Sequence, residues 1–265
     1  MMNWLCTGVS VQGHGHVRQG MPCQDAQGWA QVNDTLILAC ADGAGSAAHA
    51  EWGSTLAVDK VVAHMISHAV GWRMAKDPED HQAYLLGTLK GAFQSARDAL
   101  TTLAAREQVA LRDLATTLLL AVVSDGYTAA AQVGDGAIVC SVGGHEGIKA
   151  LTTPFQGQYI NEAVFITQEN YTDYLQLQAI EGSARHLALF SDGFEPVAIK
   201  YATGEPNPVL FEGLFQFMND TSSQEVRTEA VTRLLTGKRI AERSDDDKTL
   251  VLATRCNEFN EGCPS

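Results

Sequence analysis

Four aspartates lie next to apolar stretches that read as β-strands. Asp42 follows LILACA, Asp135 follows AAAQVG, Asp192 follows HLALFS, and Asp246 shortly precedes TLVLAT. Because the strands of a sheet end along common edges, we expect these carboxylates to converge at one edge of a single sheet. Two unit charges about 4 Å apart interact by about 4 kcal/mol at an effective dielectric near 20, so the convergence requires a positive partner.

A dissolved cation is the simplest positive partner for these carboxylates. The sequence contains no lysine or arginine between Arg18 and Lys60, and none between Arg112 and Lys149. Carboxylate and carbonyl oxygens are the ligands that magnesium, manganese and calcium prefer, whereas zinc favours nitrogen and sulfur. The pattern therefore predicts a site for hard divalent metal ions.

An Asp-Gly pair also has a common structural use, which the prediction must be weighed against. Asp125 and Gly126 separate two apolar stretches by two residues, and Asp-Gly suits the tight turn of a β-hairpin. We interpret this pair as a turn. The metal interpretation applies jointly to Asp42, Asp192 and Asp246, each of which adjoins an apolar strand of its own.

The spacing of apolar residues predicts the elements that carry these side chains. Helices are expected at residues 46–70, 80–106, 194–201, 208–218 and 222–236. Strands are expected at residues 5–11, 28–32, 35–41, 115–123, 127–133, 137–142, 162–167, 175–180, 186–190 and 249–254. Many strands are sequence neighbours, so the order indicates an α+β fold with antiparallel sheet and outer helices. We expect one domain over residues 1–256 and a frayed tail over residues 257–265.

Charge and composition exclude several classes of function. The chain has 265 residues, with 31 acidic against 18 basic side chains and a net charge of −13. This balance disfavours binding to a nucleic acid backbone or to an anionic membrane surface. No apolar run approaches the roughly 18 residues of a membrane span, and the N-terminus lacks the pattern of a secretory signal. The six cysteines show neither a C-x-x-C pair nor zinc spacing, which favours a reducing cytoplasm.

Five short motifs occur in an order that resembles the PPM/PP2C-type serine/threonine phosphatases, and most closely their compact bacterial branch. They are CQDA (23–26), ADGAGS (41–46), VGDG (133–136), FSDGF (190–194) and SDDDKTLVLA (244–253). The resemblance implies a sandwich of two antiparallel sheets flanked by helices. It implies two manganese or magnesium ions and hydrolysis of phosphoserine or phosphothreonine by direct attack of a water that bridges them. A phosphorylated protein is the implied substrate, and a cognate serine/threonine kinase is a further implied partner.

The resemblance also assigns roles to individual residues. Asp42 corresponds to the carboxylate that bridges both ions, and the carbonyl of Gly43 to a second ligand. Asp192 and Asp246 correspond to the remaining ligands of the first ion. Asp135 corresponds to a ligand of a third, weaker ion in some relatives. Asp246 is chosen from three consecutive aspartates because it stands three residues before a threonine, which is the family spacing.

Other positions carry weaker or altered signals. Asp25 resembles an aspartate that orders water near the second ion, but Gln24 replaces a glutamate found in many relatives. Ala44 stands where animal relatives have a histidine proposed as a general acid. Arg18 is a candidate for binding the substrate phosphate, although an exposed surface role fits it equally well. His16 is a second candidate, because the bacterial branch often has a histidine ahead of its CQD motif.

Alternative functions lack their characteristic motifs. His14 and His16 do not have further ligands at zinc spacing, and there is no P-loop, G-x-S-x-G elbow or EF-hand pattern. One alternative from a different class stays open. The chain could be a weakly active or non-catalytic module that binds phosphoproteins, because the changes at Gln24 and Ala44 weaken the site.

Overall fold

Two five-stranded antiparallel sheets face each other in the computed structural model, which describes residues 3–69, 78–124, 126–142, 147–154, 163–221 and 223–256. The strands are β1 (Trp4–Val11), β2 (Ala26–Val32), β3 (Thr35–Ala41), β4 (Leu118–Ser124), β5 (Tyr127–Val133), β6 (Ala137–Val142), β7 (Lys149–Thr152), β8 (Gln176–Glu181), β9 (Ala184–Phe190) and β10 (Lys248–Arg255). The first sheet has the order β2-β3-β4-β5-β8, and the second has the order β1-β10-β9-β6-β7.

Helices cover the outer faces of both sheets. They are α1 (His14–Gln19), α2 (Ala50–His68), α3 (Pro78–Glu107), α4 (Glu195–Ala198), α5 (Pro208–Asp220), α6 (Gln224–Leu235) and α7 (Lys238–Ala241). The two long helices α2 and α3 pack on the first sheet, while α5 and α6 pack on the second. The predicted fold class, an α+β sandwich of two antiparallel sheets flanked by helices, is confirmed.

The central strands are buried on both faces, which explains why they read as continuous apolar runs. Leu36, Leu38 and Cys40 of β3 point between the sheets, whereas Ile37 and Ala39 face the helices. All five side chains are fully buried. An aspartate that directly follows such a strand is therefore attached to a fully buried segment of the core.

Most predicted elements are confirmed, and the errors fall on short segments. Residues 163–167, the described part of a predicted strand, form no strand, so that prediction is wrong. The short elements α1, β7 and α7 were not predicted, because four to six residues are too few to establish a period. The spacing of apolar residues in α6 predicts that Val226, Val231 and Leu235 all face inward. Val231 and Leu235 are buried, but Val226 is 49% exposed.

The β-hairpin predicted at Asp125 and Gly126 is confirmed as far as it is described. Ser124 pairs with Tyr127, which leaves a two-residue connection between β4 and β5. Gly126 has a φ of 81°, the left-handed conformation that favours glycine. Asp125 lies outside the described residues, as does the predicted tail at 257–265. The assignment of one domain to residues 1–256 stays a prediction.

Two further sequence-based expectations concern the oxidation state of the cysteines and the presence of a membrane-spanning segment. Cys6, Cys23, Cys40 and Cys140 are free, and all but Cys23 are buried, as expected of small apolar side chains. Cys256, at the end of the described chain, is disulfide-bonded. Of the helices in the described ranges, none has the length and apolarity needed to cross a membrane.

Candidate metal centre

Five aspartates from distant parts of the chain meet at one end of the sandwich, and we call them the acid cluster: Asp25, Asp42, Asp135, Asp192 and Asp246. Asp25 precedes β2 and Asp42 follows β3, both in the first sheet. Asp192 follows β9 and Asp246 precedes β10, both in the second sheet. The expectation of a single sheet edge is therefore wrong. The cluster lies where the ends of two facing sheets come together.

Asp42 and Asp192 form the centre of the acid cluster. The carboxyl groups of Asp42 and Asp192 lie within hydrogen-bonding reach of each other, although they come from different sheets. Burial, followed by the charges of Asp25 and Asp192, holds the pKa of Asp42 well above its usual range. Burial and then the charge of Asp135 raise the pKa of Asp192 to about 6. Two adjacent carboxylates cannot both ionise cheaply without a cation between them.

Asp25 is the most deeply buried member and is fixed by a neighbour of Asp192. The hydroxyl of Ser191 donates to Oδ2 of Asp25 at 2.7 Å. Ser191 is itself fixed by the backbone N–H of Thr249, which donates to its oxygen at 2.9 Å. Burial raises the pKa of Asp25 to about 7, with smaller contributions from the charges of Asp247 and Asp192.

Asp135 and Asp246 complete the cluster on its outer side. Burial and then the charge of Asp246 raise the pKa of Asp135. The charge of Asp246 also raises the pKa of Asp192, so the exposed Asp246 lies within electrostatic reach of both groups. Glu195, which no sequence pattern singles out, lies at the start of α4 beside them. Burial and then the charges of Asp192 and Asp135 raise its pKa.

The donor set of the acid cluster fits hard divalent cations. Oδ1 of Asp25, Oδ1 of Asp192 and Oε1 of Gln24 are buried and lack a hydrogen-bond partner in the described chain. Within the same ranges, no ion pair joins a lysine or arginine to Asp25, Asp42, Asp135 or Asp192. The unneutralised oxygens are those that magnesium and manganese bind.

The side chains of the acid cluster are not arranged around a common centre at metal-ligand distances. Among the described residues, no three His, Cys, Asp or Glu side chains are already arranged as a group that could hold a metal ion. The unpartnered oxygens and the raised pKa values nevertheless fit a metal site, because bare carboxylates repel one another and do not adopt ligand distances without the ion.

Backbone contacts fix the loop that carries Asp42 and Gly43. The Asp42 N–H donates to Oγ1 of Thr117 at 2.9 Å, and the Asp42 carbonyl accepts from the hydroxyl of Thr116 at 2.9 Å. A Cβ at residue 43 would lie 2.8 Å from the Gln24 carbonyl oxygen and from Cβ of Ala50. Close packing therefore requires glycine at this position. Backbone conformation is not the reason, since the φ of Gly43 is not in the left-handed region.

The three consecutive aspartates have different environments. Asp245 is exposed and pairs with Arg18, with Nη2 and Oδ2 2.7 Å apart. Asp246 belongs to the acid cluster, and its Oδ1 also accepts from the N–H of Asp247 at 2.8 Å. Asp247 is buried, and its two oxygens accept from the N–H groups of Gly13 at 2.6 Å and Gln24 at 2.5 Å. Asp247 thereby holds α1 and the CQDA loop against the start of β10.

His16 lies beside Asp247 and faces the loop that follows Asp42. Its Nδ1 is 2.9 Å from Oδ2 of Asp247, although the two groups are not aligned for a linear hydrogen bond. On the other side of the ring, Nε2 lies 4.0 Å from the position that a Cβ on Gly45 would occupy. Arg18, the other phosphate candidate, is directed outward to Asp245.

Sequence reasoning missed the residues that position the cluster. Ser191, Thr117 and Asp247 act through hydrogen bonds to backbone or side chains that are far away in the chain. Ser191 and Asp247 lie inside the FSDGF and SDDDKTLVLA motifs, whereas Thr117 belongs to none of the five motifs. The contacts of Thr117 and Asp247 span 75 and more than 200 residues, so no local pattern reveals them.

Comparisons with known proteins agree with this geometry. Residues 12–236 match the family described as Protein phosphatase 2C. The chain is 30% identical over 259 residues to Serine/threonine-protein phosphatase 3 of Escherichia coli strain K12, covering 95% of this chain and 98% of that protein.

Solved structures share the fold at low sequence identity. The serine-threonine phosphatase 2C from Toxoplasma gondii superposes with a TM-score of 0.66 at 13% identity, covering 94% of both chains. The catalytic domain of the serine threonine protein phosphatase PstP, solved in complex with two manganese ions, superposes with a TM-score of 0.60 at 18% identity. That alignment covers 97% of this chain and 100% of the PstP chain.

Proposed function

The chain belongs to the protein phosphatase 2C family and is a metal-dependent serine/threonine protein phosphatase, and from this premise we propose that the acid cluster is its catalytic metal centre. The observation that carries the proposal is the contact between Asp42 and Asp192 across the two sheets. Both pKa values are raised, and no lysine or arginine of the described chain forms an ion pair with either group. A retained proton or a bound cation can relieve the repulsion within such a pair, and a cation allows both carboxylates to ionise at neutral pH.

We propose that two manganese or magnesium ions bind here. Asp42, at the centre of the cluster, would contact both ions, and Asp192, Asp246 and the Gly43 carbonyl would complete the first site. Asp135 would contribute to a third, weaker site on the outer side. When bound, a pair of such ions makes a water molecule acidic enough to attack phosphorus and neutralises the phosphate oxygens.

Asp25 and Gln24 would serve the second ion. The free Oδ1 of Asp25 and the free Oε1 of Gln24 are both buried and face no donor in the described chain. Gln24 is neutral, so it contributes an oxygen without the charge that a glutamate would add. We therefore expect the second ion to bind more weakly than the first. Asp25, fixed by Ser191, would also accept a proton from water at that site.

We propose His16 as the side chain that contacts the substrate phosphate. Nδ1 of His16 lies 2.9 Å from Oδ2 of Asp247, which places the imidazole ring against this buried carboxylate. The opposite nitrogen, Nε2, faces the loop of Gly45 next to Ala44. Ala44 carries no proton donor, and His16, which faces the same loop, would bind the phosphate or protonate the leaving group. Arg18 is the second candidate, but its ion pair with Asp245 directs it outward.

The physiological substrate is proposed to be a phosphorylated protein, with a cognate kinase as a further partner. The cytoplasm is the proposed location. The four free cysteines support a reducing compartment, while the disulfide at Cys256 stands against it. Mass spectrometry of the protein alkylated on extraction from its own cells, without added reductant, tests this point. A free thiol at Cys256 would support the cytoplasm, and a native disulfide there would contradict it.

The central experiment measures hydrolysis of p-nitrophenyl phosphate and of a phosphothreonine peptide by the purified chain. We expect no turnover in EDTA, and turnover of both substrates after manganese is restored. A thermal shift on adding manganese to the stripped protein provides a readout that does not depend on activity. Turnover in EDTA, or a folded protein that neither binds manganese nor hydrolyses either substrate, would contradict the proposal.

A further inference from the structure

A groove of about 400 Å³ lies on the outer side of the second sheet, between α4, α5, α6 and α7. We call it the α5–α7 groove. Its floor is apolar and is formed by Val197, Leu210, Leu234 and Ile240, while Arg239 and Arg243 line it with positive charge. No element of the phosphatase chemistry described above uses this groove.

The two arginines are available to bind another molecule. Both are exposed, and neither takes part in an ion pair among the described residues. Arg243 uses one nitrogen, Nη1, to donate to the Pro196 carbonyl at 3.1 Å, which holds its side chain at the groove. In a chain of net charge −13, two arginines at one groove without a carboxylate partner are unexpected. A guanidinium presents five N–H donors in a planar fork that suits carboxylates.

Two short chain segments connect the groove to the acid cluster. Arg243 stands three residues before Asp246, and α4 begins three residues after Asp192. Three residues span at most about 11 Å, so both segments lead directly from the cluster to the groove. Glu195, the first residue of α4, lies within electrostatic reach of Asp192 and Asp135. A peptide whose phosphorylated residue reaches the cluster would therefore need only a few more residues to reach the groove.

We infer that the α5–α7 groove binds the part of a phosphoprotein substrate that flanks the phosphorylated residue, and that it selects an acidic side chain next to an apolar one. The inference rests on the proposed function of the acid cluster. The apolar floor accepts the apolar side chain, and the arginines pair with the acidic one. The acid cluster repels acidic residues near the phosphate, so the arginines determine on which side of the site a negative charge is accepted.

The test uses phosphothreonine peptides of equal length in two versions. One has glutamate and leucine at the flanking positions, and the other has lysine and serine there. We expect kcat/KM to be about tenfold higher for the Glu/Leu peptide. In Arg239→Glu this ratio should fall to about one, and in Arg239→Lys, which keeps the charge, it should stay above that of Arg239→Glu. Arg239 is preferred to Arg243 for substitution because Arg243 also holds Pro196.

Arg106→Glu is the matched control, because it reverses one exposed arginine charge in the opposite helical layer. Arg106 lies near the end of α3, where it pairs with Glu107 at 2.8 Å. The control separates a local contact from a change in net charge. Equal peptide ratios for Arg106→Glu and Arg239→Glu would overturn the inference, as would a wild-type protein with no preference between the peptides.

Two further measurements separate this inference from the proposed function. p-Nitrophenyl phosphate has no flanking residues, so its turnover reports on the metal centre alone, and a wild type that fails to hydrolyse it contradicts the proposed function. Fluorescence anisotropy of the same peptides without phosphate, in EDTA, measures groove binding without turnover. Weaker binding of the Glu/Leu peptide to Arg239→Glu than to wild type supports the inference. Equal binding by the two proteins overturns it.

Discussion

Asp192 and Asp247 lie at the same end of the sandwich, and their surroundings differ in the partners of the carboxylate oxygens. The oxygens of Asp247 accept from the backbone N–H groups of Gly13 and Gln24. Asp192 faces Asp42, Asp135 and Asp246, and its Oδ1 has no partner in the described chain. A carboxylate whose oxygens are taken up by N–H donors connects segments of the protein, whereas one that faces other carboxylates is available to a cation.

The comparison predicts that substitutions in the two regions affect different properties of the protein. Changes in the acid cluster should abolish metal binding and turnover without unfolding the metal-free chain. Changes at Asp247 should lower the free energy of unfolding whether or not metal is present.

The largest effect is expected for Asp42→Asn. Turnover with manganese should fall at least about 1000-fold, or about 4 kcal/mol in the activation barrier, because a shared ligand is lost. The rise in melting temperature on adding manganese should also disappear. In EDTA the variant should be at least as stable as wild type, because the substitution removes a carboxyl whose ionisation is opposed by burial and by Asp25 and Asp192.

Wild-type turnover in Asp42→Asn would refute the assignment of the bridging ligand. A large drop in the metal-free melting temperature would instead show that Asp42 has a structural role like that of Asp247. Urea unfolding in EDTA, measured beside the activity assay, distinguishes the two outcomes.

The second prediction concerns pH and metal removal. The folded pKa values of Asp25 and Asp192, about 7 and about 6, lie above the value of about 3.9 expected in the unfolded chain. Between pH 4 and 7 the folded state therefore holds more protons than the unfolded state, and metal-free stability should fall as pH rises. The loss should be on the order of several kcal/mol, because one pKa unit corresponds to about 1.4 kcal/mol and both groups contribute.

His186 contributes to pH dependence with the opposite sign, so the measurement must remove its effect. Burial and then the charge of Arg185 lower the pKa of His186 to about 4, and its protonation therefore destabilises the fold below about pH 6.5. His186 contacts Thr254 and Phe215, away from the acid cluster. Its contribution cancels in the difference between urea unfolding in EDTA and in manganese. That difference should widen from pH 5 to 7, and a constant difference would contradict the prediction.

The third prediction tests the other side of the comparison. Asp247→Asn should lower the free energy of unfolding by about 2–4 kcal/mol, because an amide has one accepting oxygen for the two buried N–H donors. The loss should be equal in EDTA and in manganese. Asp245→Asn is the adjacent control, and it should leave the unfolding midpoint unchanged within error because Asp245 is exposed. Equal effects of the two substitutions would contradict the role given to Asp247.

The smallest effect is expected at the proposed phosphate contact. His16→Gln should lower kcat/KM for p-nitrophenyl phosphate about tenfold to 100-fold, while the midpoint of a manganese titration followed by thermal shift stays constant. Arg18→Gln provides the comparison, and its loss should be smaller. A larger loss in Arg18→Gln, or a shifted manganese midpoint in His16→Gln, would transfer the role to Arg18 or to metal binding.

The sequence determined the elements and the chemistry of the centre because both depend on local patterns. Continuous apolar runs identified β3, β5 and β9, and the aspartates at the ends of β3 and β9 were evident from the same runs. The scarcity of basic residues around Asp42 and Asp135 indicated hard cations before any geometry was available. Short elements such as α1 and β7 were missed, because few residues cannot establish a period.

Only the tertiary structure decided how those aspartates are used. It divided three consecutive carboxylates into an exposed ion pair at Asp245, a member of the acid cluster at Asp246 and a buried hydrogen-bond acceptor at Asp247. It also brought Asp42 from one sheet into contact with Asp192 from the other. These outcomes depend on contacts between residues more than 100 positions apart, which arise from the packing of the two sheets and leave no periodic signal in the chain.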